Sequence, residues 1–346
     1  MRQRSALLMV TADDSTGATE AGAACADTGL SVLVVPFGSA CPSGDCTVID
    51  LRSRHLDPDE ARRRIAASTG AAHRVHKIDS TLRGNWSHEL AALVDAGRRV
   101  VLIPSHPMAG RVCRGGVVYV NDVPVANSDL ANDPRLPVRS SRPSEALPGP
   151  ELTGRRSLAT WLTGSDGGVA IVDAESLDDI DELVELALGF DDVVLGGPAS
   201  VVGAVARLSA PADSVVRLPV PLLPKPVVVV CASLHPVSRA QIARVADAGF
   251  DVVTSPEERI GDSQSIATEV ASRAHRLVAQ RRARSVVLVG GDTAEAFIGD
   301  NVVRIFGSID VGVSLGDTTI DGGTLRVASK PGGFGTANTL VDLVTR

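Results

Sequence analysis

The residues best suited to chemistry are concentrated in one short run, KIDSTLRGN, at positions 77–85. It combines two cations, an acid and two hydroxyls within nine residues. The pattern predicts a short strand over 73–79 and a helix over 85–96, so the polar run would form a strand-to-helix loop. In open α/β sheets, ligands bind at the carboxyl ends of strands, and a helix N-terminus favours an anion.

Each residue type in this run fits a role in binding a small anion. Lys77 and Arg83 could hold a carboxylate or a phosphate. Ser80 and Thr81 could contact hydroxyl groups, and Asp79 could accept a proton or orient a hydroxyl. The alternative is a capped helix end with a solvated salt bridge.

A second acidic segment, TADDSTGATEAG at 11–22, follows the first predicted strand. Asp13 and Asp14 cannot both point the same way from a strand end, so one could face a ligand while the other caps the helix. Helix capping alone explains this segment equally well.

Two further segments bring cations to the same predicted sheet edge. They are Ser53-Arg54 and the run SHPMAGR at 105–111, and each follows a predicted strand. Either one alone is a weak signal, but their convergence on one edge indicates a binding site.

The C-terminal part has glycine-rich loops at three predicted strand ends. These loops are GGDTAEAF at 290–297, SKPGGFG at 329–335 and the loop at Ser233, the last residue of the run VVVVCAS. Adjacent glycines between a strand and a helix allow backbone N–H groups to face a phosphate. The spacing is neither that of a Walker P-loop nor that of a GxGxxG fingerprint. We therefore predict a divided nucleotide site.

Composition excludes several classes of protein. The chain has 346 residues, a net charge of −7 and few aromatic residues, and no basic stripe indicates nucleic acid binding. The apolar run near the start is interrupted by acids, and no stretch reaches membrane-spanning length. A cytoplasmic protein is expected. No zinc-type His or Cys spacing and no GxSxG elbow are present, and the five cysteines suggest buried or incidental thiols.

Strand and helix signals alternate along the chain, which predicts an α/β fold with mostly parallel sheets. The proline-rich segment LPVPLLPKP at 218–226 predicts a linker between an N-terminal domain at 1–217 and a C-terminal domain at 227–346. The predicted strands are 6–10, 30–37, 47–51, 75–78, 100–103, 169–172, 193–195, 227–230, 251–253 and 285–289, with a hairpin over 115–126. The predicted helices are 57–68, 85–96, 177–188, 237–248, 263–281 and 336–344, with another beginning near Asp292, and 128–150 is predicted as loop.

The chain resembles the four-carbon acid sugar kinases, a family that includes 3-oxo-tetronate, threonate and erythronate kinases. The resemblance rests on six motifs in order: ADDSTGA, SR at 53–54, KIDSTLRGN, PMAGR, GGDTA and KPGGFG. It implies an N-terminal domain that binds the sugar acid, a C-terminal domain that binds ATP, an active site in the cleft between them, and transfer of the γ-phosphoryl group to a terminal hydroxyl. The family usually has Asp where this chain has Glu20 and Gly where it has Ala232.

The resemblance implies roles for matching positions. The catalytic candidates are Asp14, Asp79 and Arg83. The other acid-binding candidates are Asp13, Arg54, Lys77, Ser80, Thr81 and Gly84. The nucleotide-binding candidates are Ser233, Gly290, Gly291, Asp292, Thr293, Gly312, Gly332 and Gly333. No protein ligands for a metal are predicted, and Mg²⁺ would bridge the phosphates of ATP.

The leading hypothesis is therefore an ATP-dependent sugar-acid kinase in which Lys77, Arg83 and Arg54 hold the carboxylate of the acid. Either Asp14 or Asp79 would be the base, and the sequence does not choose between them. The expected partners are the sugar acid and ATP, with a homodimer as the candidate assembly and no nucleic acid or membrane. A non-catalytic sensor that keeps the fold is the alternative, and an NAD-linked dehydrogenase lacks the glycine fingerprint.

Overall fold

The computed structural model describes residues 8–40, 44–68, 70, 73–133, 135–164, 167–210, 220–256 and 263–346. Part of the predicted linker, part of the first predicted strand and Cys41 lie outside these residues. The other four cysteines are buried free thiols. No helix among the residues described is both long and apolar enough to cross a membrane.

The N-terminal half contains a parallel sheet of eight strands. Its strands are β1 (Leu8–Ala12), β2 (Val32–Pro36), β3 (Cys46–Asp50), β4 (His73–Lys77), β5 (Arg99–Leu102), β9 (Glu151–Thr153), β10 (Val169–Asp173) and β11 (Val193–Gly197). They lie in the order β2-β3-β1-β4-β11-β5-β10-β9. Apolar side chains from both faces of the sheet form separate clusters against the flanking helices, as expected of a parallel sheet covered on both sides.

Helices cover this sheet, and three of them, at 143–146, 154–163 and 199–209, were not predicted from the sequence. The helices are α1 (Ser15–Ala26), α2 (Pro58–Ala67), α3 (Trp86–Asp95), α4 (Pro143–Ala146), α5 (Gly154–Thr163), α6 (Leu177–Leu188) and α7 (Ala199–Ser209). The predicted cap of α2 is confirmed, because the Asp57 side chain accepts a hydrogen bond from the Asp59 backbone, with Pro58 in the first turn.

The predicted hairpin over 115–126 is confirmed and belongs to a small antiparallel sheet. This sheet contains β6 (Arg111–Arg114), β7 (Val117–Val120) and β8 (Val123–Pro124). Asn121 and Asp122 both have positive φ angles, of 48° and 63°, as a tight hairpin turn requires. The segment 128–150 is mostly irregular, as predicted, but it includes a 3₁₀ turn and the short helix α4.

The C-terminal half combines parallel and antiparallel strands. Its strands are β12 (Val227–Cys231), β13 (Asp251–Thr254), β14 (Ser285–Val289), β15 (Val303–Asp310), β16 (Val313–Ile320) and β17 (Gly323–Lys330). Its helices are α8 (Pro236–Asp247), α9 (Ser263–Arg281), α10 (Gly291–Ile298) and α11 (Thr339–Thr345). β12 pairs in parallel with β13 and β14, and β14 with β17, whereas β15, β16 and β17 form an antiparallel meander that the sequence analysis did not predict.

The antiparallel meander joins the two parallel parts of the sheet. β15 pairs antiparallel with β2 through Val303–Val34, Arg304–Leu33 and Ile305–Val32. All the large strands consequently form one 14-stranded sheet. The α/β prediction is confirmed. The structure adds that hydrogen bonds between β2 and β15 connect the N-terminal and C-terminal halves.

Candidate active site

The carboxyl ends of β1, β3 and β4 bring an acid pair and a cation together. Arg54 donates from Nε and Nη2 to Asp13, at 2.7 and 2.9 Å, and from Nη1 and Nη2 to Asp14, at 2.7 and 2.9 Å. Asp14 also caps α1 by accepting from the Gly17 N–H at 2.7 Å, while Asp13 is fully buried. Gly84 is needed beside this pair, because a Cβ there would lie 2.8 Å from Arg54 Cγ. Of the two roles predicted for the DD pair, capping therefore falls to Asp14, and both aspartates bind Arg54.

Asp14 has an unusual protonation equilibrium. Burial raises its pKa to about 6, and the neighbouring Asp13 adds to that effect. The positive charges of Arg54 and Lys77 and the Gly17 hydrogen bond oppose it. A carboxylate with a pKa close to neutral can both accept a proton and release it at ordinary pH.

Asp79 lies in the opposite electrostatic environment. It accepts from Arg83 Nε and Nη2, both at 2.9 Å, and from the hydroxyl of Thr81, while Arg54 Nη2 lies 3.8 Å away. Burial acts to raise its pKa, but Arg83, Arg54 and Thr81 outweigh burial and hold the pKa well below the usual value. Asp79 is therefore a stable anion. The Thr81 hydroxyl is already in use, whereas the Ser80 side chain makes no hydrogen bond to any described residue.

Lys77 shares a buried corner with Glu20 and His106, of which His106, in the SHPMAGR run, was predicted at this sheet edge and Glu20 was not assigned a role. Its Nζ lies 3.6 Å from Glu20 on α1, and His106 Nε2 lies 3.6 Å from the other oxygen of Glu20. Burial acts to raise the pKa of Glu20, but His106 and Lys77 hold it below its usual value. The only signal for Glu20 in the sequence was its departure from the family pattern.

A buried chain of hydrogen bonds supports these loops from behind. The Thr11 hydroxyl lies 2.8 Å from His76 Nδ1, and His76 Nε2 lies 3.0 Å from Glu89. The other oxygen of Glu89 accepts from the hydroxyl of Ser53, the residue before Arg54. All four of these side chains are fully buried. The chain fixes the position of the Ser53-Arg54 loop relative to β1, β4 and α3.

The predicted nucleotide loops are connected to one another by hydrogen bonds. Thr293 Oγ1 accepts from the Ala232 N–H at 3.0 Å, and the Ser238 hydroxyl donates to the Gly332 carbonyl at 2.7 Å. Thr293 is buried, so its position indicates a linking role between the β12 and β14 loops. A Cβ on Gly332 would lie 3.2 Å from Ser233 Oγ.

The remaining glycines of these loops also have close neighbours or special backbone angles. Gly290 has a φ of 97°, which favours glycine, and a Cβ on Gly333 would lie 3.2 Å from His235 Nε2. Gly312 lies in the β15–β16 turn, with a φ of 70°. Gly312 was predicted to contact the nucleotide, but what it makes room for is the Phe334 ring, since a Cβ on Gly312 would lie 2.8 Å from that ring.

The acid-side and nucleotide-side loops lie against each other. A Cβ on Gly291 would lie only 2.6 Å from Asp14 Oδ2. Asp292 forms an ion pair with Arg135 at 2.7 Å and lies 3.6 Å from His55. Asp14 is therefore next to the start of α10, where a helix N-terminus favours an anionic group.

Sequence reasoning placed no site residue in the segment that contains Arg135. That segment is predicted loop, and nothing in its composition indicates that it meets the GGDT loop. Arg111, which was predicted at the sheet edge as part of the SHPMAGR run, also lies at this junction, with its guanidinium carbon 4.9 Å from the centre of the Phe334 ring. Among the residues that the structure describes, no three His, Cys, Asp or Glu side chains gather as a metal site.

Two family profiles match this chain. The profile of a sugar-binding N-terminal domain matches residues 8–205, and that of a nucleotide-binding C-terminal domain matches residues 252–340. A D-threonate kinase from Salmonella typhimurium is 30% identical over 307 residues, covering 80% of this chain and 70% of the relative. A D-erythronate kinase from Heliobacterium modesticaldum is 28% identical over 271 residues, covering 70% and 60%. A Bordetella bronchiseptica structure, a domain-swapped dimer with bound citrate, is 25% identical with a TM-score of 0.53 over 97% of each chain.

Proposed function

Because this chain belongs to the four-carbon acid sugar kinase family, we propose that it transfers the γ-phosphoryl group of ATP to a terminal hydroxyl of threonate, erythronate or 3-oxo-tetronate. The observation that carries the proposal is the close approach of Asp14 to Gly291, where a carboxylate with a pKa of about 6 meets a glycine-rich helix start. Phosphoryl transfer needs a positioned hydroxyl, a proton acceptor and neutralised charge at one point.

Asp14 is the better candidate for the base. It accepts the hydroxyl proton as the hydroxyl oxygen bonds to phosphorus. Its raised pKa supports this role, whereas the depressed pKa of Asp79 makes that residue a weak proton acceptor. Asp79 instead orients the substrate and holds Arg83 in place.

The ion pairs also divide the work of the cations. All three nitrogens of the Arg54 guanidinium already face Asp13 and Asp14, so Arg54 holds the aspartate pair and is not the main grip on the acid. Arg83 uses Nε and Nη2 to bind Asp79, and its Nη1 makes only a 3.4 Å contact with Asp133. We assign Lys77 and Arg83 Nη1 to the substrate carboxylate.

The nucleotide loops fit a phosphate chain. Side chains at Gly332 and Gly333 would meet neighbouring atoms at 3.2 Å, so the glycines keep the backbone accessible. Gly291 and Asp292 begin α10, and no side chain caps this helix start, so its first N–H groups can face phosphate oxygens. The N–H of the N-cap residue, Gly290, donates instead to the Lys330 carbonyl at 2.9 Å. Mg²⁺ bound to those phosphates would neutralise their charge, and Asp292, in the first turn of α10, is a carboxylate that could contact it.

The test is ADP release with Mg-ATP over a panel of threonate, erythronate and their 3-oxo forms, in both stereochemical series. We expect one acid to raise ADP release at least tenfold above the acid-free rate, an effect on the order of what productive binding supplies. The Asp14→Asn protein, prepared identically, is the control for contaminating ATPases. Tight ATP binding without acid-dependent release would instead support a sensor.

We propose further that the functional units are residues 1–217 and 227–346, joined by 218–226. The domain-swapped dimer of the Bordetella bronchiseptica protein supports a homodimer here. Light scattering after size exclusion measures this directly, and a monomer over the whole concentration range tested contradicts it.

A further inference from the structure

One cation at the junction of the two halves has no carboxylate partner. Four neighbouring cations each lie within 4.0 Å of a carboxylate oxygen: Arg54 with Asp13 and Asp14, Lys77 with Glu20, Arg83 with Asp79, and Arg135 with Asp292. Lys330, which is fully buried, donates instead to the carbonyls of Pro331 and Gly332. Arg111 has no carboxylate oxygen within 4.0 Å among the residues described. Its charge is therefore available to an anion that arrives from outside.

The surroundings of Arg111 make this charge costly to leave unpaired. Its Nη1 donates to the carbonyl of Ala109, but its Nε is buried and has no hydrogen-bond partner. Burial lowers the pKa of Arg111, against the attraction of Asp79 and Glu20. An arginine stays protonated even so, and a buried N–H of a cation without a partner is unfavourable. Binding an anion here would remove that penalty.

The guanidinium is held by an aromatic ring from the other half of the chain. Phe334, directly after Gly332 and Gly333, lies beneath Arg111 at 4.9 Å. The C-terminal half fixes this residue, because Gln241 Nε2 donates to its carbonyl at 3.0 Å and Gly312 leaves space for its ring. An aromatic face can orient a guanidinium without neutralising its charge.

We propose that Arg111 is a catalytic residue that binds the phosphoryl group during its transfer, and that Phe334 is the positioning residue that orients it. This rests on the proposed function. The substrate hydroxyl oxygen bonds to the γ-phosphorus, the bond from phosphorus to the ADP oxygen breaks with its electron pair leaving on ADP, and the hydroxyl proton passes to Asp14. Arg111 donates two N–H groups to the phosphoryl oxygens, where charge is spread during transfer, and its own proton count is unchanged.

The first test is Arg111→Lys, which keeps the charge but loses the planar fork and the stacking. We expect kcat to fall on the order of a hundredfold or more, with KM for the acid changed by less than about threefold. The matched control is Arg114→Lys on the same strand, since Arg114 also lies 4.9 Å from a ring, that of Tyr119, but is away from the junction. The control should keep full activity. An unchanged kcat in Arg111→Lys, or a rise in KM alone, overturns the assignment.

The second test separates positioning from a general structural effect. Phe334→Leu should lower kcat between about twofold and thirtyfold, the range that a cation–π contact supports. In the Arg111→Lys background the same change should have no further effect, because Phe334 acts through Arg111. If the fold-losses in kcat of the two single variants multiply in the double variant, Phe334 does not act through Arg111 and the positioning role is overturned. Equal melting temperatures of the variants exclude misfolding as the cause.

A binding measurement distinguishes failure of this inference from failure of the kinase proposal. If no acid stimulates ADP release, calorimetry with a non-hydrolysable ATP analogue and with ADP still tests Arg111. Arg111→Ala should weaken binding of the analogue about tenfold more than binding of ADP, since only the analogue carries the third phosphoryl group. An equal effect on both nucleotides contradicts the proposal.

Discussion

The kcat/KM for the acid should fall about tenfold between pH 7 and pH 5 because Asp14 becomes protonated. With a pKa of about 6, about nine tenths of Asp14 is ionised at pH 7 and about one tenth at pH 5. The quantity to measure is kcat/KM for the acid, which reports groups of the enzyme before the acid binds. If Asp79 were the base, its depressed pKa would leave the profile flat over this range.

The nucleotide's own ionisation must be separated from that of Asp14, since phosphate groups also titrate near pH 6. Asp14→Asn is the comparison: it should lose about 10²- to 10⁴-fold in rate and also lose the acidic limb. Glu295→Gln is the matched control, because burial raises the pKa of that nearby carboxyl to about 7. Glu295→Gln should retain the fall in kcat/KM near pH 6. A fall that persists in Asp14→Asn, or that disappears in Glu295→Gln, would refute the assignment of Asp14 as the base.

Three further predictions concern neighbouring residues. Asp79→Asn should reduce kcat far more than ATP affinity, as steady-state rates and calorimetry measure, and equal losses in both would move Asp79 away from the substrate. It should also lower the free energy of unfolding in urea by about 3 kcal/mol, because it leaves the partially buried Arg83 without its ion pair. Gly291→Ala should impair turnover by displacing Asp14, whereas Gly323→Ala, where the nearest atom to an added Cβ is 3.7 Å away, should not; steady-state rates of the pair decide this. Glu89→Gln should destabilise the fold by about 1–3 kcal/mol, because the buried bonds to His76 and Ser53 weaken, while Glu145→Gln at an exposed position should be neutral in thermal melts.

Much of the fold could be predicted from the sequence because many of its elements carry strong local patterns. The helices α6 and α9 begin and end where their apolar spacing and flanking residues predict. The final helix instead begins at Thr339, three residues later than predicted, because 336–338 form the turn before it. The meander β15–β17 was missed: its strands have no helical partners and mix polar with apolar residues, so their pairing depends on long-range contacts.

The sequence predicted which residues would lie close together at the candidate site, but not how they would pair. The structure places Asp13 and Asp14 on Arg54, and Lys77 Nζ lies beside the same two aspartates around Gly17. Which carboxylate pairs with which cation depends on distances that no single motif encodes. That pairing decides the difference between Asp14, with a pKa of about 6, and Asp79, with a strongly depressed one.

The pairing of β2 with β15 has a mechanical consequence. The covalent linker is not the only connection between the halves, since β15 also packs on α1, where Gly22 leaves room for Ile305, and Ser308 N–H donates to Asp27 at 3.1 Å. These contacts hold the two halves together independently of the covalent linker. A polypeptide cleaved between residues 210 and 220 should accordingly remain a noncovalent two-fragment complex, and the two fragments should co-elute on gel filtration.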